Sequence, residues 1–295
     1  MSEKFLVIGA NGQHGSTGAH LTDRLLERGE AVRIFVRRET EATRGYAARG
    51  AEVVMGDLLD QRTIRPALDG VTQGYFTFPA DLTIVRAAAN WAEAVRGTGN
   101  SVRTVMMSMH PAQPGNNSPF GRASWLAEQV MSWAGIDLQI VKILAMFHEN
   151  IEMEHGETIP RGVMRNSFGT GAAMWISSAD AADLILEALL DPEKFKQPLA
   201  EVNGTEIFTH PQIAEMLTQI TGHPVTYEDI DLDTWAAEMR TFHHPALTPT
   251  MIDHLCGFAS QKAAVAPRLG DAGDFTRLTG RAPRTLSTYL QRFAV

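Results

Sequence analysis

Short apolar, β-branched runs recur through the first half of the chain, at residues 5–8 (FLVI), 31–36 (AVRIFV), 52–55 (EVVM), 74–78 (GYFTF), 102–108 (VRTVMMS) and 137–144 (DLQIVKIL). Their length and composition predict strands. The segments between them carry apolar residues at helical spacing, as in Leu21, Leu25 and Leu26 ahead of Gly29, and in the long stretch 81–99 (DLTIVRAAANWAEAVRGTG). Strand and helix in alternation predict an α/β fold with a doubly wound parallel sheet, because parallel neighbours need crossovers and those are right-handed helices.

The rhythm changes near residue 150. Ser177, Ser178 and Asp180 announce one helix, and Thr209 as N-cap, Pro211 in the first turn and Gly222 as stop delimit another. The remainder reads as helical and loop-rich. Two units are expected: residues 1–150 as a dinucleotide-binding domain, and 151–295 as a smaller α-rich unit that binds substrate or partner and sends segments back to the core.

The four glycines of "VIGANGQHGSTG", Val7 to Gly18, fall directly behind the first strand. Gly9, Gly12 and Gly15 form GxxGxxG at a strand-to-helix turn. The first allows the tight turn, the second lets backbone approach a pyrophosphate, and the third lets helix pack on strand. The pyrophosphate then sits at a helix N-terminus, where unpaired N–H groups and the dipole favour negative charge. This predicts a Rossmann-type fold, with Asn11, Gln13 and His14 completing the loop and Gly18 reserved for helix packing. Strand two ends in "VRR", where an NAD-selective protein offers an acid to the ribose hydroxyls. Arg37 and Arg38 instead offer charge to a 2′-phosphate, which favours NADP(H) over NAD(H). Asp57 and Leu58 follow strand three beside the adenine region, with a helix-capping role as the alternative for Asp57.

Composition narrows the classes. A net charge of −8, with 26 basic residues spread along 295 positions, argues against direct nucleic-acid binding. The single cysteine, Cys256, excludes an intramolecular disulfide or a cysteine zinc cluster and suits the cytoplasm. No apolar run reaches the length of a membrane span, and no signal-peptide layout is expected at the N-terminus. His148, Glu149, Glu152 and His155 in "HENIEMEH" miss the HExxH zinc pattern, so no metal is expected.

With the series "VIGANGQHG", "VRR", "GDLLD", "FTFP", Ser108, "AEQVMSWAGID", "MFHENI" and "TGRAPRTL", the chain resembles the NmrA-like proteins, an atypical branch of the short-chain dehydrogenase/reductase superfamily. The resemblance implies a Rossmann core, NADP(H) binding with Phe78 near the cofactor, and a cleft under the C-terminal unit lined by Phe120, Ser124, Phe147, His148 and Asn150. It also implies either of two activities, since the branch contains reductases of quinones, dyes and phenolic ethers as well as redox sensors that associate with protein partners. Related reductases carry Tyr-x-x-x-Lys, or a variant keeping the lysine, after strand five. Aligned on Glu128, those positions are Phe120 and Ser124, and none of Tyr46, Tyr75, Tyr227 and Tyr289 has a lysine four residues on. Ser108 remains to orient a carbonyl, and His110, two residues beyond it where ligands gather in open α/β sheets, remains as a proton donor. A reductase of strongly electrophilic small molecules, quinone or dye, is expected, with a non-catalytic NADP(H) sensor as the alternative.

Overall fold

The computed structural model describes residues 3–12, 16–99, 101–261 and 273–294. Five βα steps and a sixth strand open the chain: β1 Lys4–Ile8, α1 Thr17–Glu27, β2 Ala31–Val36, α2 Glu41–Ala48, β3 Glu52–Met55, α3 Gln61–Ala67, β4 Gln73–Phe76, α4 Ile84–Gly97, β5 Arg103–Met109, α5 Pro119–Trp133 and β6 Leu138–Leu144. All six predicted strands form, with β4 ending two residues early at Phe76. The Rossmann-type expectation holds: every neighbouring pair in the main sheet is parallel.

The next segments are β7 Met146–Phe147, α6 Glu149–His155, β8 Val163–Asn166, β9 Ala172–Ile176, α7 Ser178–Leu190, β10 Leu199–Asn203, β11 Glu206–Thr209, α8 His210–Thr221, β12 Thr226–Asp229, α9 Leu232–Met239, α10 Pro249–Ala259, α11 Asp274–Thr279 and α12 Leu286–Leu290. The main sheet has the order β10-β6-β5-β4-β1-β2-β3. Its β10 was not anticipated, since LAEVN is short and half polar. Two small sheets, β11-β9-β7 and β12-β8, likewise lie in the region read as helix and loop. The caps were legible. Ser177 accepts from the Asp180 amide, Thr209 forms a reciprocal capping box with Gln212, and Gly222 closes α8 at φ 73°.

Apolar residues gather in three cores. One face of the sheet packs on α1 and α7 through Leu21, Leu25, Leu184 and Ile185, and the other on α3, α4 and α5 through Ile64, Trp91, Ala127 and Met131. A third joins α6, α8, α9, α10 and α12 around Trp175, Trp235, Leu255 and Leu286. Full burial of side chains of this size contributes roughly 2–3 kcal/mol each. Trp175 is fully buried, whereas Trp133 at the end of α5 is 71% exposed. Among the described residues no helix is long and apolar enough to cross a membrane.

Candidate active site

One cavity of about 1390 Å³ runs along the C-terminal ends of the central strands, where α/β sheets receive ligands. At one end lie Gly9, Asn11 and Gly12 from the β1–α1 turn, Arg37 and Arg38 after β2, and Asp57 and Leu58 after β3. Gly9 sits at φ 81°, and a Cβ there would come within 2.8 Å of the Thr77 methyl. The Gly12 amide donates to the Gly9 carbonyl at 2.9 Å, which closes the turn. Gln13, His14 and Gly15 lie outside the described residues. A Cβ on Gly18 would stand 2.5 Å from the Gly9 carbonyl carbon, so Gly18 is the glycine that lets α1 lie on β1, as expected.

The Asn11 side chain ties the glycine turn to the β2–α2 turn: its Oδ1 accepts from the Thr40 hydroxyl at 3.2 Å and its Nδ2 donates to the Arg38 carbonyl at 3.5 Å. Thr40 in turn caps α2 with a reciprocal bond to Thr43. The exposed guanidinium-bearing residues Arg37 and Arg38 are thereby fixed at the cavity rim. Asp57 accepts from the Leu59 amide at 2.9 Å, and the α3 cap is Asp60, so Asp57 shapes a turn and caps no helix. A turn with glycine at positions 9 and 12, a helix without an acid in its first turn and two cations at the rim fit a phosphorylated dinucleotide.

The other end of the cavity is aromatic and methionine-rich, with Phe78, Phe120, Phe147, Phe258, Met109 and Met251 on its walls. Asn150 lines it, while its Nδ2 donates to Glu154 at 3.1 Å. Ser124 lines it too, 2% exposed, and its hydroxyl has no hydrogen-bond partner among the described residues. His148, expected as a substrate contact, is corrected. It is fully buried against the Tyr289 ring, 5.8 Å between centroids, and is absent from the cavity wall, because α6 begins there and turns its side chain toward Glu206. Burial holds its pKa down to about 4.

Ser108 and His110 both reach the cavity. The Ser108 hydroxyl, however, donates to Glu128, and Glu128 pairs with Lys142 at 3.0 Å. Lys142 also donates to the Ala112 carbonyl at 3.1 Å. Burial raises the Glu128 pKa, opposed by the Ser108 bond and the Lys142 charge. The triad is buried, so Ser108 faces the cavity mainly as an acceptor. Lys142 had escaped notice, although a lysine inside the apolar run LQIVKIL signals a buried partner. His254 on α10 was missed as well. It lines the cavity, and its Nδ1 lies 2.7 Å from the Ser118 hydroxyl. Tyr75 and Tyr227 are absent from the wall. Tyr289 stands with Glu152 and Arg292, and Tyr46 lines the cavity beside Thr40 and Ala42, at the Arg37 end. The missing tyrosine of the sequence is therefore missing in space.

The NAD(P)H-binding family matches residues 12–192, more than half of the chain. The chain belongs to this NAD(P)H-binding family. It is 26% identical to the NAD(P)H azoreductase of Xenophilus azovorans over 98% of its own length and 97% of the relative's. Its fold matches a quinone oxidoreductase of Escherichia coli complexed with NADPH, with a TM-score of 0.79, 20% identity and coverage of 98% and 99% of the two chains. A doubly substituted NmrA matches with a TM-score of 0.77, 15% identity and coverage of 98% and 94%. The expectation read from the motifs is borne out in the NAD(P)H-binding family and in a fold shared with NmrA. Among the described residues no three His, Cys, Asp or Glu side chains converge as metal ligands would.

Proposed function

We propose that this protein is an NADPH-dependent reductase of electron-poor, planar small molecules of the quinone or dye type. The observation that carries the reading is a single cavity with a phosphate cradle at one end and an aromatic chamber at the other, without the tyrosine that reduction of an ordinary ketone requires. When bound, the nicotinamide supplies a hydride. The chain's own part is to hold the dinucleotide through the glycine turn, Arg37, Arg38 and Asp57, and to stack the acceptor among Phe78, Phe120 and Phe147. Enclosure by α10 excludes water, so positioning does much of the work. The azo and quinone acceptors named for the relative and the fold neighbour are of this electron-poor kind.

In the same reading residues 1–150 bind NADP(H) and residues 151–295 shape the acceptor site, with α7 and β10 returning to the sheet. The single half-buried thiol, Cys256, suits a reducing cytoplasm. One observation favours a second reading, an NADP(H) sensor that acts through a protein partner: the Ser108 proton is committed to Glu128. Anaerobic mixing of NADPH-loaded protein with a panel of quinones and azo dyes, followed by nicotinamide absorbance, separates the two. Turnover is expected; tight NADPH binding with no turnover on any acceptor would give the sensor.

A further inference from the structure

A quinone that takes up a hydride has gained two electrons and one proton, and it needs one more proton to become the hydroquinone. Ser108 does not supply it while its hydroxyl is held by Glu128, and positions 120 and 124 carry a phenyl ring and a serine. The residue set against that ring comes from the other half of the chain. His254 meets Phe120 edge-on, with ring centroids 5.3 Å apart, and its Nδ1 is 2.7 Å from the Ser118 hydroxyl. Ser118 is the N-cap of α5 and accepts from the Gly121 amide at 3.0 Å, so its position is fixed before the histidine arrives.

Helix α10 is keyed to this spot at three further points. A Cβ on Gly257 would lie 2.7 Å from Ser118 Cα, so only glycine lets the helix approach so closely. The Asn117 side chain donates to the Ser260 hydroxyl at 2.9 Å, and the Asn117 amide to Gln261 at 3.2 Å. One helical turn beyond Phe120, the Ser124 hydroxyl is buried on the cavity wall without a partner among the described residues, a cost that a ligand's hydrogen bond would remove.

We propose that His254 delivers the proton to the carbonyl oxygen of the acceptor, and that the Ser124 hydroxyl holds that oxygen. This rests on the reductase reading. In the imidazolium, Nδ1–H donates to Ser118 Oγ, whose second lone pair already serves Gly121. The Nε2–H bond breaks as the O–H bond forms on the quinone oxygen. Neutral imidazole remains, with Nδ1–H still on Ser118, and water restores Nε2–H. The hydride comes from NADPH, which leaves as NADP+. Among the described residues, the ionisable groups on the elements packed around the ring are His110 after β5, Arg122 and Glu128 on α5, Asp233 and Glu238 on α9, and Asp253 and Cys256 on α10 itself.

The test uses full-length protein with NADPH and menadione, comparing wild type, His254→Gln, His254→Asn and Ser124→Ala. Wild-type kcat should fall as pH rises along a single-proton limb. Both His254 variants should lose that limb and about 100-fold in kcat, with NADPH affinity and circular dichroism unchanged. Ser124→Ala should raise KM and lower kcat while keeping the limb. A second readout is independent of turnover: side-chain 15N resonances, assigned to His254 by their loss in His254→Gln, should shift when menadione is added to the NADP+-loaded protein. A limb that survives in both His254 variants, or that disappears in His110→Gln instead, overturns the proposal alone. Wild type inert to the whole acceptor panel overturns the reductase reading and the proposal with it.

Discussion

Arg37 and Arg38 put two positive charges at the end of the cavity formed by the glycine turn, so charge there decides which dinucleotide binds. Arg37→Asp should weaken NADPH binding by about 1–3 kcal/mol, the scale of a charge-assisted contact, and should leave NADH binding nearly unchanged. Parallel titrations with the two dinucleotides check this, and equal losses would remove the preference for NADP(H). Gly12 is a sharper case. A Cβ there would stand 3.1 Å from the Gly9 carbonyl, which a fold can absorb, but a valine would fill the side on which phosphate must approach. Gly12→Val should abolish dinucleotide binding with a circular dichroism spectrum like that of wild type. These residues were legible because a glycine turn serves one purpose at that place in a βα unit. His254 was not legible in that way: nothing in "MIDHLCGF" tells which of its neighbours α10 will meet, since the partner Ser118 lies 136 residues away.

Elements were legible where local signals and burial agree. Caps written in the sequence set the start of α7 and α8, and continuous apolar runs set the six parallel strands. The small sheets were hidden because β8, β11 and β12 are four residues each and half polar, so they form only when the third core brings them together. Helix α7 shows what such distant closure adds. Asp180 is fully buried in its first turn and accepts from the Arg284 backbone amide at 2.8 Å and from the Arg284 side chain, while Asp183 accepts from Arg24 at 3.1 Å and from Arg281. The α7 acids thus fasten the "GRAPR" segment to the sheet. Asp180→Ala should cost roughly 2 kcal/mol, less than a fully buried pair because Arg284 keeps access to water. It should show as a lowered midpoint in urea and as faster proteolysis of the last fifteen or so residues. Unchanged cleavage there would mean that α12 is held by its apolar contacts alone.

At the scale of the whole molecule, the third core carries a set of ionisable groups away from water. His155 and His210 are held down to about 3 by burial, His155 also by the neighbouring His210, and His148 to about 4 by burial. Burial pushes Glu154 the other way, up to about 8, against the Asn150 hydrogen bond. Near neutrality all four are therefore uncharged, and the His155–Glu154 approach of 3.9 Å is a contact of neutral groups. The signs of linkage follow. For the histidines the unfolded chain binds more protons than the folded one below the ordinary imidazole pKa of about 6.5, so stability falls as the solution is acidified from there toward 3. For Glu154 the folded chain binds the extra proton between the ordinary glutamate value of about 4.3 and 8, so stability falls as pH rises through that window. Three groups against one make the acid side the steeper, and the curve should peak near pH 6.5, with on the order of 1–2 kcal/mol lost by pH 8 on account of Glu154. Glu154→Gln keeps the shape and the Asn150 contact but cannot ionise. Its melting temperature should match wild type at pH 6 and exceed it at pH 8. Melting curves of the two proteins at a series of pH values decide it: parallel decline of both above pH 6.5 would show that Glu154 is already ionised in the folded state, and that the Asn150–Glu154 pair holds the cleft as a charged contact.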